Sequence, residues 1–267
     1  MAERSSPGLS TGEANRLELP DGSSIAYHAL PGMSPGILFL GGFMSDMTGT
    51  KASHLASWCR DRNRSFVRFD YTGHGASSGS FTEGTISRWS QDALHVLDAL
   101  TEGPQILVGS SMGGWLMLLV ALERPRRVAG LVGIAPAPDF TEELISAKLD
   151  DEARAALRRD GIVRLPSEYS DEPYTITREL IDDGRRHLLL AGSIGINCPV
   201  RLLHGLRDDA VPWQTSIRLV SALASPDVTI TIIKEGDHRL SAEADLARLE
   251  RTITGLIEAA SPAPENR

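Results

Sequence analysis

The pentapeptide Gly109-Ser110-Ser111-Met112-Gly113 is wedged between an apolar run at 105–108 and a second that starts at Met112 and continues to Glu123. The first has the length and composition of a buried strand, and the second repeats apolar residues at helical spacing. A chain that passes from strand to helix within a single residue must turn sharply, so its central residue is strained. The residues two positions away on either side must be tiny, to let strand and helix approach. That turn, G-x-S-x-G, presents the Ser111 hydroxyl at the end of a strand and above a helix N-terminus, whose partial positive charge favours a developing anion. A shift of one residue, to Ser110, ruins the glycine spacing.

The rest of the chain supplies the sheet that such a turn needs. Strand-like runs at 37–40, 66–69, 105–108, 128–134, 200–203 and 228–233 alternate with helical patterns at 51–62, 86–100, 112–123, 214–223 and 242–259. Largely apolar strands separated by helices predict a mostly parallel central sheet covered on both faces. Segments 16–19 and 24–29 flank Pro20-Asp21-Gly22, which predicts an opening β-hairpin. The alternation breaks between about 138 and 196, where charged and helical sequence carries Leu144, Ile145, Leu149, Ile162 and Leu165 without a convincing strand. An insertion of that length is expected to be a helical lid. The expected organisation is a flexible tail at 1–14, one domain at 15–260 and a C-terminal tail at 261–267.

Composition narrows the partners. With 27 Lys and Arg against 35 Asp and Glu, the net charge of −8 argues against nucleic acid or an anionic membrane as the main partner. The two cysteines, Cys59 and Cys198, show no C-x-x-C or Cys/His spacing and read as small apolar residues, Cys59 on a helix and Cys198 at the start of a strand. Neither a metal nor a cofactor is expected. The N-terminal residues lack an apolar h-region, and the run at 115–122 is too short to span a bilayer. The expected location is the cytoplasm, or the mitochondrion for a mature organellar form. Oligomeric state is not legible.

A serine hydroxyl needs a base. With G-x-S-x-G in this context the chain order is serine, acid, histidine, and three of the seven histidines follow Ser111. His238 lies in the loop after the run at 228–233, where the C-terminal edge of the sheet presents it. His204 belongs to a His-Gly pair and reads as structural, and His187 lies in the insertion. The acid is sought in Leu203-His204-Gly205-Leu206-Arg207-Asp208-Asp209-Ala210-Val211-Pro212. Asp208 and Asp209 both qualify, and the spacing favours Asp208; Asp139, after the run at 128–134, is the alternative. Asp237 adjoins the base and cannot easily turn back onto it. The backbone amides of Met112 and of Phe43, in Gly41-Gly42-Phe43-Met44, are the candidates for an oxyanion hole. His74 precedes the serine and is expected only to shape the rim. Tyr169 and Tyr174 are expected to pack. The arginines of the insertion (Arg154, Arg158, Arg159, Arg164, Arg185, Arg186) are expected to form a solvated face, with one or two left to meet an anionic leaving group.

Asp70-Tyr71-x-Gly73-His74-Gly75-x-Ser77, the elbow, and His204-Gly205-x-x-Asp208-x-x-Val211-Pro212 resemble the α/β-hydrolase superfamily. A narrower likeness rests on Gly49-Thr50-Lys51-Ala52, on 109–118, on 197–205, on Pro166-Ser167-x-Tyr169-Ser170 and on Asp237-His238-Arg239. These residues are similar to the group of α/β-hydrolase-domain-containing protein ten, mitochondrial palmitoyl-protein thioesterases that also hydrolyse acyl glucuronides. Gly41-Gly42-Phe43 departs from the proline-containing loop of that group, and a bacterial relative is expected. The resemblance implies the α/β-hydrolase fold and a triad at Ser111, Asp208 and His238. It also implies hydrolysis of a small-molecule ester or thioester, or of an acylated protein, without a cofactor. A perhydrolase, carbon–carbon hydrolase or acyltransferase would use the same triad, and a non-catalytic ligand receptor is the alternative of another class.

Overall fold

The structure, a computed structural model, describes residues 13–165 and 173–260. Among the described residues ten strands form: β1 (Asn15–Glu18), β2 (Ser24–Leu30), β3 (Met33–Leu40), β4 (Arg64–Phe69), β5 (Gln105–Ser110), β6 (Val128–Ile134), β7 (Ile162–Leu165), β8 (Tyr174–Thr177), β9 (Val200–Gly205) and β10 (Val228–Ile233). Seven α-helices accompany them: α1 (Thr50–Asp61), α2 (Ile86–Leu100), α3 (Met112–Glu123), α4 (Asp151–Asp160), α5 (Arg178–Gly184), α6 (Gln214–Ala222) and α7 (Glu243–Ala260). Eight strands make one sheet in the order β1-β2-β4-β3-β5-β6-β9-β10. The opening hairpin joins it antiparallel, and β4, β3, β5, β6, β9 and β10 run parallel.

Alternation along each central strand assigns the two faces, because successive side chains point to opposite sides. Ile37, Phe39, Ile106, Val108, Val132, Ile134 and Leu203 pack with Leu55 and Trp58 of α1 and with Leu249 and Ile253 of α7. Leu38, Leu40, Leu107, Leu131 and Leu202 face the other way, onto α2, α3 and the insertion. Helix α3 is buried from Met112 to Ala121. It lies between the sheet, α2 and the insertion, which is why its sequence is apolar on every side. Trp115 of α3 is buried, and its indole N–H donates to the His187 carbonyl at 3.1 Å, tying the insertion to this helix.

The insertion departs from the expectation drawn from sequence. It contains α4 and α5, but also an antiparallel pair, β7 and β8, with Ile162 opposite Thr177 and Leu165 opposite Tyr174. Val163 and Ile176 are buried, whereas Ile162 and Arg164 face outward. Four-residue strands with one wet face leave too weak an alternation to read. Cys198 also differs: it precedes β9 rather than opening it. Pro199 has no N–H to give the ladder, and the strand begins after it. The motif at 166–170, with Tyr169, and the tails 1–12 and 261–267 lie outside the described residues. No helix among the described residues is long and apolar enough to cross a membrane.

Candidate active site

Ser111 stands between β5 and α3 with φ 53° and ψ −118°. For a residue with a Cβ this conformation costs about 1–3 kcal/mol and persists only where its surroundings enforce it. Its N–H donates to the Ile134 carbonyl (2.9 Å), and its carbonyl accepts from Gly114 (2.8 Å) and Ala137 (3.0 Å). The glycine spacing has the steric cause inferred from sequence. A Cβ on Gly109 would lie 2.3 Å from the Gly113 carbonyl oxygen, and one on Gly113 would lie 2.1 Å from that of Leu40.

The loops after β9 and β10 bring two further residues to this serine. His238 Nε2 lies 3.1 Å from Ser111 Oγ, and its Nδ1 lies 2.8 Å from Asp208 Oδ2. The Asp208 side chain is fully buried. Its Oδ1 accepts from the amides of Ala210 (3.1 Å) and Val211 (2.7 Å). Burial pushes the Asp208 carboxyl up, but bonds from His204 and His238, the His238 charge and the Val211 amide outweigh it and hold the group near about 2. A carboxylate bonded by several donors stays ionised.

His204 approaches the same carboxylate, with Nε2 3.1 Å from Asp208 Oδ2. Nε2 also lies 3.0 Å from the Val211 carbonyl, while Nδ1 is 2.7 Å from Ser216 Oγ. Two acceptors at Nε2 put the proton there, so the Ser216 hydroxyl donates to Nδ1. The structural reading of His204 from sequence missed this link to Asp208.

The other candidates lie elsewhere. Asp139 has φ 62°, and its carboxylate accepts from the amides of Leu189 and Leu190, both at 2.8 Å. It joins the two ends of the insertion. Asp209 is exposed at the pocket rim, and Asp237 accepts from the Leu240 amide at 2.8 Å. His187 lies 2.7 Å from Ser87 Oγ, which itself donates to Asp183.

Phe43 and Met112 flank Ser111 at the pocket floor. Among the described residues neither amide has a hydrogen-bond acceptor, whereas the Met44 amide donates to His74 Nε2 (3.3 Å) and that of Ser45 to the Gly42 carbonyl (3.2 Å). The Phe43 ring sits edge-on to Phe81, Trp89, Phe140 and Tyr174, with centroids 5.0–5.9 Å away. Tyr174 therefore packs as expected, and it also lines the pocket.

The pocket over Ser111 has a volume of about 660 Å³. Its wall includes Phe140, Leu144, Ile145, Leu165 and Ile176 from the insertion. Lys51, Lys148 and Arg239 stand at the same cavity against one exposed acid, Asp209. Lys51 Nζ donates to the Arg239 carbonyl at 2.5 Å, and burial pushes its amine down to about 8. The arginines named from sequence do not line this cavity. Arg154, Arg159, Arg185 and Arg186 pair with Asp151, Asp160, Glu142 and Asp183 instead. No group of three or more His, Cys, Asp or Glu among the described residues is arranged to hold a metal.

A serine at a strained strand-to-helix turn, on a mostly parallel eight-stranded sheet, with a histidine and a carboxylate from the last two strand loops, defines an α/β-hydrolase. Residues 37–159 match the family described as serine aminopeptidase, S33. Palmitoyl-protein thioesterase ABHD10 of Bos taurus, a mitochondrial protein by its name, is 43% identical over 243 residues, covering 91% of this chain and 79% of its own length. The Mus musculus protein of the same name is 44% identical over 245 residues, covering 91% and 81%. Among solved structures, a hydrolase from Agrobacterium vitis S4 superposes with a TM-score of 0.88 at 43% identity, over 92% of this chain and 98% of that one. The mouse α/β-hydrolase domain-containing protein 10 gives 0.86 at 41%, over 94% and 100%. The chain belongs to the ABHD10 family of α/β-hydrolases.

Proposed function

We propose that this chain hydrolyses carboxylic thioesters or esters of apolar acids through an acyl-enzyme formed on Ser111. The observation that carries the reading is the continuous hydrogen-bond chain Ser111–His238–Asp208 at the floor of an apolar pocket. The thioesterase names of its relatives support it. In this reading Ser111 Oγ attacks the acyl carbonyl while His238 Nε2 takes its proton. Asp208 keeps the Nδ1 proton in place and stabilises the imidazolium. The amides of Phe43 and Met112 receive the oxyanion. His238 returns the proton to the leaving sulfur or oxygen, and water, activated by the same histidine, releases the acid.

The apolar wall takes the acyl chain, and Lys51, Lys148 and Arg239 face the leaving group. A panel of acyl-CoA, S-acyl peptide, p-nitrophenyl ester and acyl-glucuronide substrates tests the proposal. Turnover of at least one class, abolished by Ser111→Ala, is expected. A chain that turns over none of them is a receptor, and one that transfers the acyl group to an added alcohol faster than to water is an acyltransferase; either result overturns the reading.

A further inference from the structure

The segment Asp70-Tyr71-Thr72-Gly73-His74-Gly75-Ala76-Ser77 holds none of the residues assigned a chemical step, yet three of its side chains reach the loop after β3. Asp70 Oδ1 accepts from the Met47 amide at 2.6 Å, and its Oδ2 accepts from Ala76 at 2.8 Å within its own loop. The Tyr71 hydroxyl donates to the Gly41 carbonyl at 3.4 Å. His74 Nε2 accepts from the Met44 amide at 3.3 Å. None of residues 70–77 lines the pocket, so His74 does not shape its rim as the sequence suggested; the segment instead fastens the loop after β3, which does line it, at Gly41, Met44 and Met47.

His74 is 4% exposed and sits edge-on to Tyr71, Phe81 and Trp89 at centroid distances of 5.6, 5.2 and 5.1 Å. Its Nδ1 lies 3.4 Å from the Thr72 carbonyl, so that nitrogen carries the proton and Nε2 offers a lone pair. Burial pushes its pKa down to about 4, which keeps the ring an acceptor near neutrality. Met44 has φ 55°, a left-handed conformation that costs a residue with a side chain about 1–2 kcal/mol. Of the three successive amides in this turn, His74 takes that of Met44 and Gly42 takes that of Ser45. Among the described residues the Phe43 amide is the one of these three with no acceptor, and it is left, with that of Met112, for a ligand at Ser111.

We propose that His74 is the positioning residue of the oxyanion hole: by holding the Met44 amide it fixes the turn that aims the Phe43 N–H at the reacting carbonyl. The inference rests on the function proposed above and adds to it a residue that touches no substrate. A donor fixed before the reaction strengthens as charge develops, whereas a loose one must first be ordered. The loss on removing His74 therefore falls on the chemical step rather than on binding.

Three substitutions test it, each measured for kcat, KM, melting temperature and the Ki of an acyl trifluoromethyl ketone, which forms an oxyanion on Ser111. In His74→Gln the side-chain carbonyl reaches the place of Nε2 and can still accept. In His74→Asn the carbonyl stops at the place of Nδ1, and in His74→Leu there is no acceptor. The expected result is a kcat lower by about 10²-fold in His74→Leu and His74→Asn, with KM within about threefold. Ki should rise in step with the loss in kcat/KM, and His74→Gln should stay within about tenfold of wild type. If His74→Leu does not fold, the Gln and Asn pair decides. A kcat within threefold of wild type in folded His74→Asn or His74→Leu, or equal damage in Gln and Asn, removes this inference alone. A wild-type chain inactive on every ester and thioester removes the proposed function and this inference with it.

Discussion

His204 Nε2 lies 3.1 Å from Asp208 Oδ2, the same oxygen that lies 2.8 Å from His238 Nδ1. The proposed acid is therefore held from behind by a fully buried imidazole, itself fixed by Ser216 and Val211. A hydrogen bond to a charged group contributes about 1.5–3 kcal/mol. Part of that reaches His238, so His204→Phe should lower kcat about tenfold. Acid stability reports the same bond. The Asp208 carboxyl is held below its usual 3.8, so it stabilises the fold above that pH and the contribution fades as pH falls towards about 2. Without His204 the folded carboxyl lies closer to 3.8 and the contribution is smaller, so the acid unfolding midpoint of His204→Phe should move up. A midpoint that stays put would show that His204 does not act on Asp208.

The proposed nucleophile is tested directly. A fluorophosphonate probe should label Ser111 stoichiometrically, and Ser111→Ala should lower kcat by about 10⁴-fold or more. Peptide mapping that finds the label on Ser110, or labelling retained in Ser111→Ala, rejects the assignment.

Asp208 and Asp139 should separate by what each loses. Asp208→Asn should cost about 10³–10⁴ in kcat by favouring the wrong His238 tautomer, with the fold retained. Asp139→Asn should instead lower the melting temperature, because a carboxylate that accepts two amides becomes an amide with a single acceptor oxygen. Its kcat should stay within about tenfold. Greater loss of activity in Asp139→Asn or in Asp209→Asn than in Asp208→Asn would overturn the order.

Acyl-chain preference follows from the pocket wall. Each methylene buried against Phe140, Leu144, Ile145, Leu165 or Ile176 contributes about 0.8 kcal/mol, so kcat/KM should rise about fourfold per added carbon until the cavity is full. Leu144→Trp should move the optimum to shorter chains. Activity that falls steadily from acetyl to octanoyl thioesters sinks the acyl groove and leaves the triad standing.

His74 should leave its own mark on stability. Its pKa is about 4 in the folded chain against 6.5 when exposed, with the Tyr71, Phe81 and Trp89 rings and the Thr72 carbonyl around it. Between those values the unfolded chain binds more protons, so stability rises with pH across that window and is lost as pH falls through it, by on the order of 3 kcal/mol. Urea midpoints from pH 4 to 7 should fall more steeply on acidification in wild type than in His74→Gln. Parallel curves would show that the ring is not buried as a neutral base.

The legible parts of this chain are those governed by local sterics. The elbow could be read because Gly109 and Gly113 leave no room for a Cβ, and that reading carried the sheet with it. His238 and Asp208 followed from chain order, and the structure sets them within hydrogen-bonding distance. What escaped depends on approach in space. The Met44 amide meets a histidine thirty residues away, and Lys51 meets the carbonyl of Arg239 across 188 residues. No spacing rule links such pairs. The arginines of the insertion form the solvated face expected of them, paired with acids, and the cations at the cavity that escaped are Lys51 of α1, Lys148 in the turn before α4 and Arg239 of the histidine loop. The pair β7 and β8 escaped because only Val163 and Ile176 are deeply buried.

The two amides held by Asp139 have a consequence for how this chain can change. The insertion leaves the sheet after β6 and returns before β9, and these strands are direct neighbours, pairing Leu131 with Val200 and Ile134 with Leu203. One carboxylate joins residue 139 to residues 189 and 190, so the intervening fifty positions form a closed excursion whose ends stay together whatever lies between them. Lengthening or remodelling that excursion leaves the register of β6 on β9 intact, and with it the separation of Ser111 from Asp208. Residues of the excursion that line the pocket can therefore change without altering the strand pairing that carries Ser111 and Asp208.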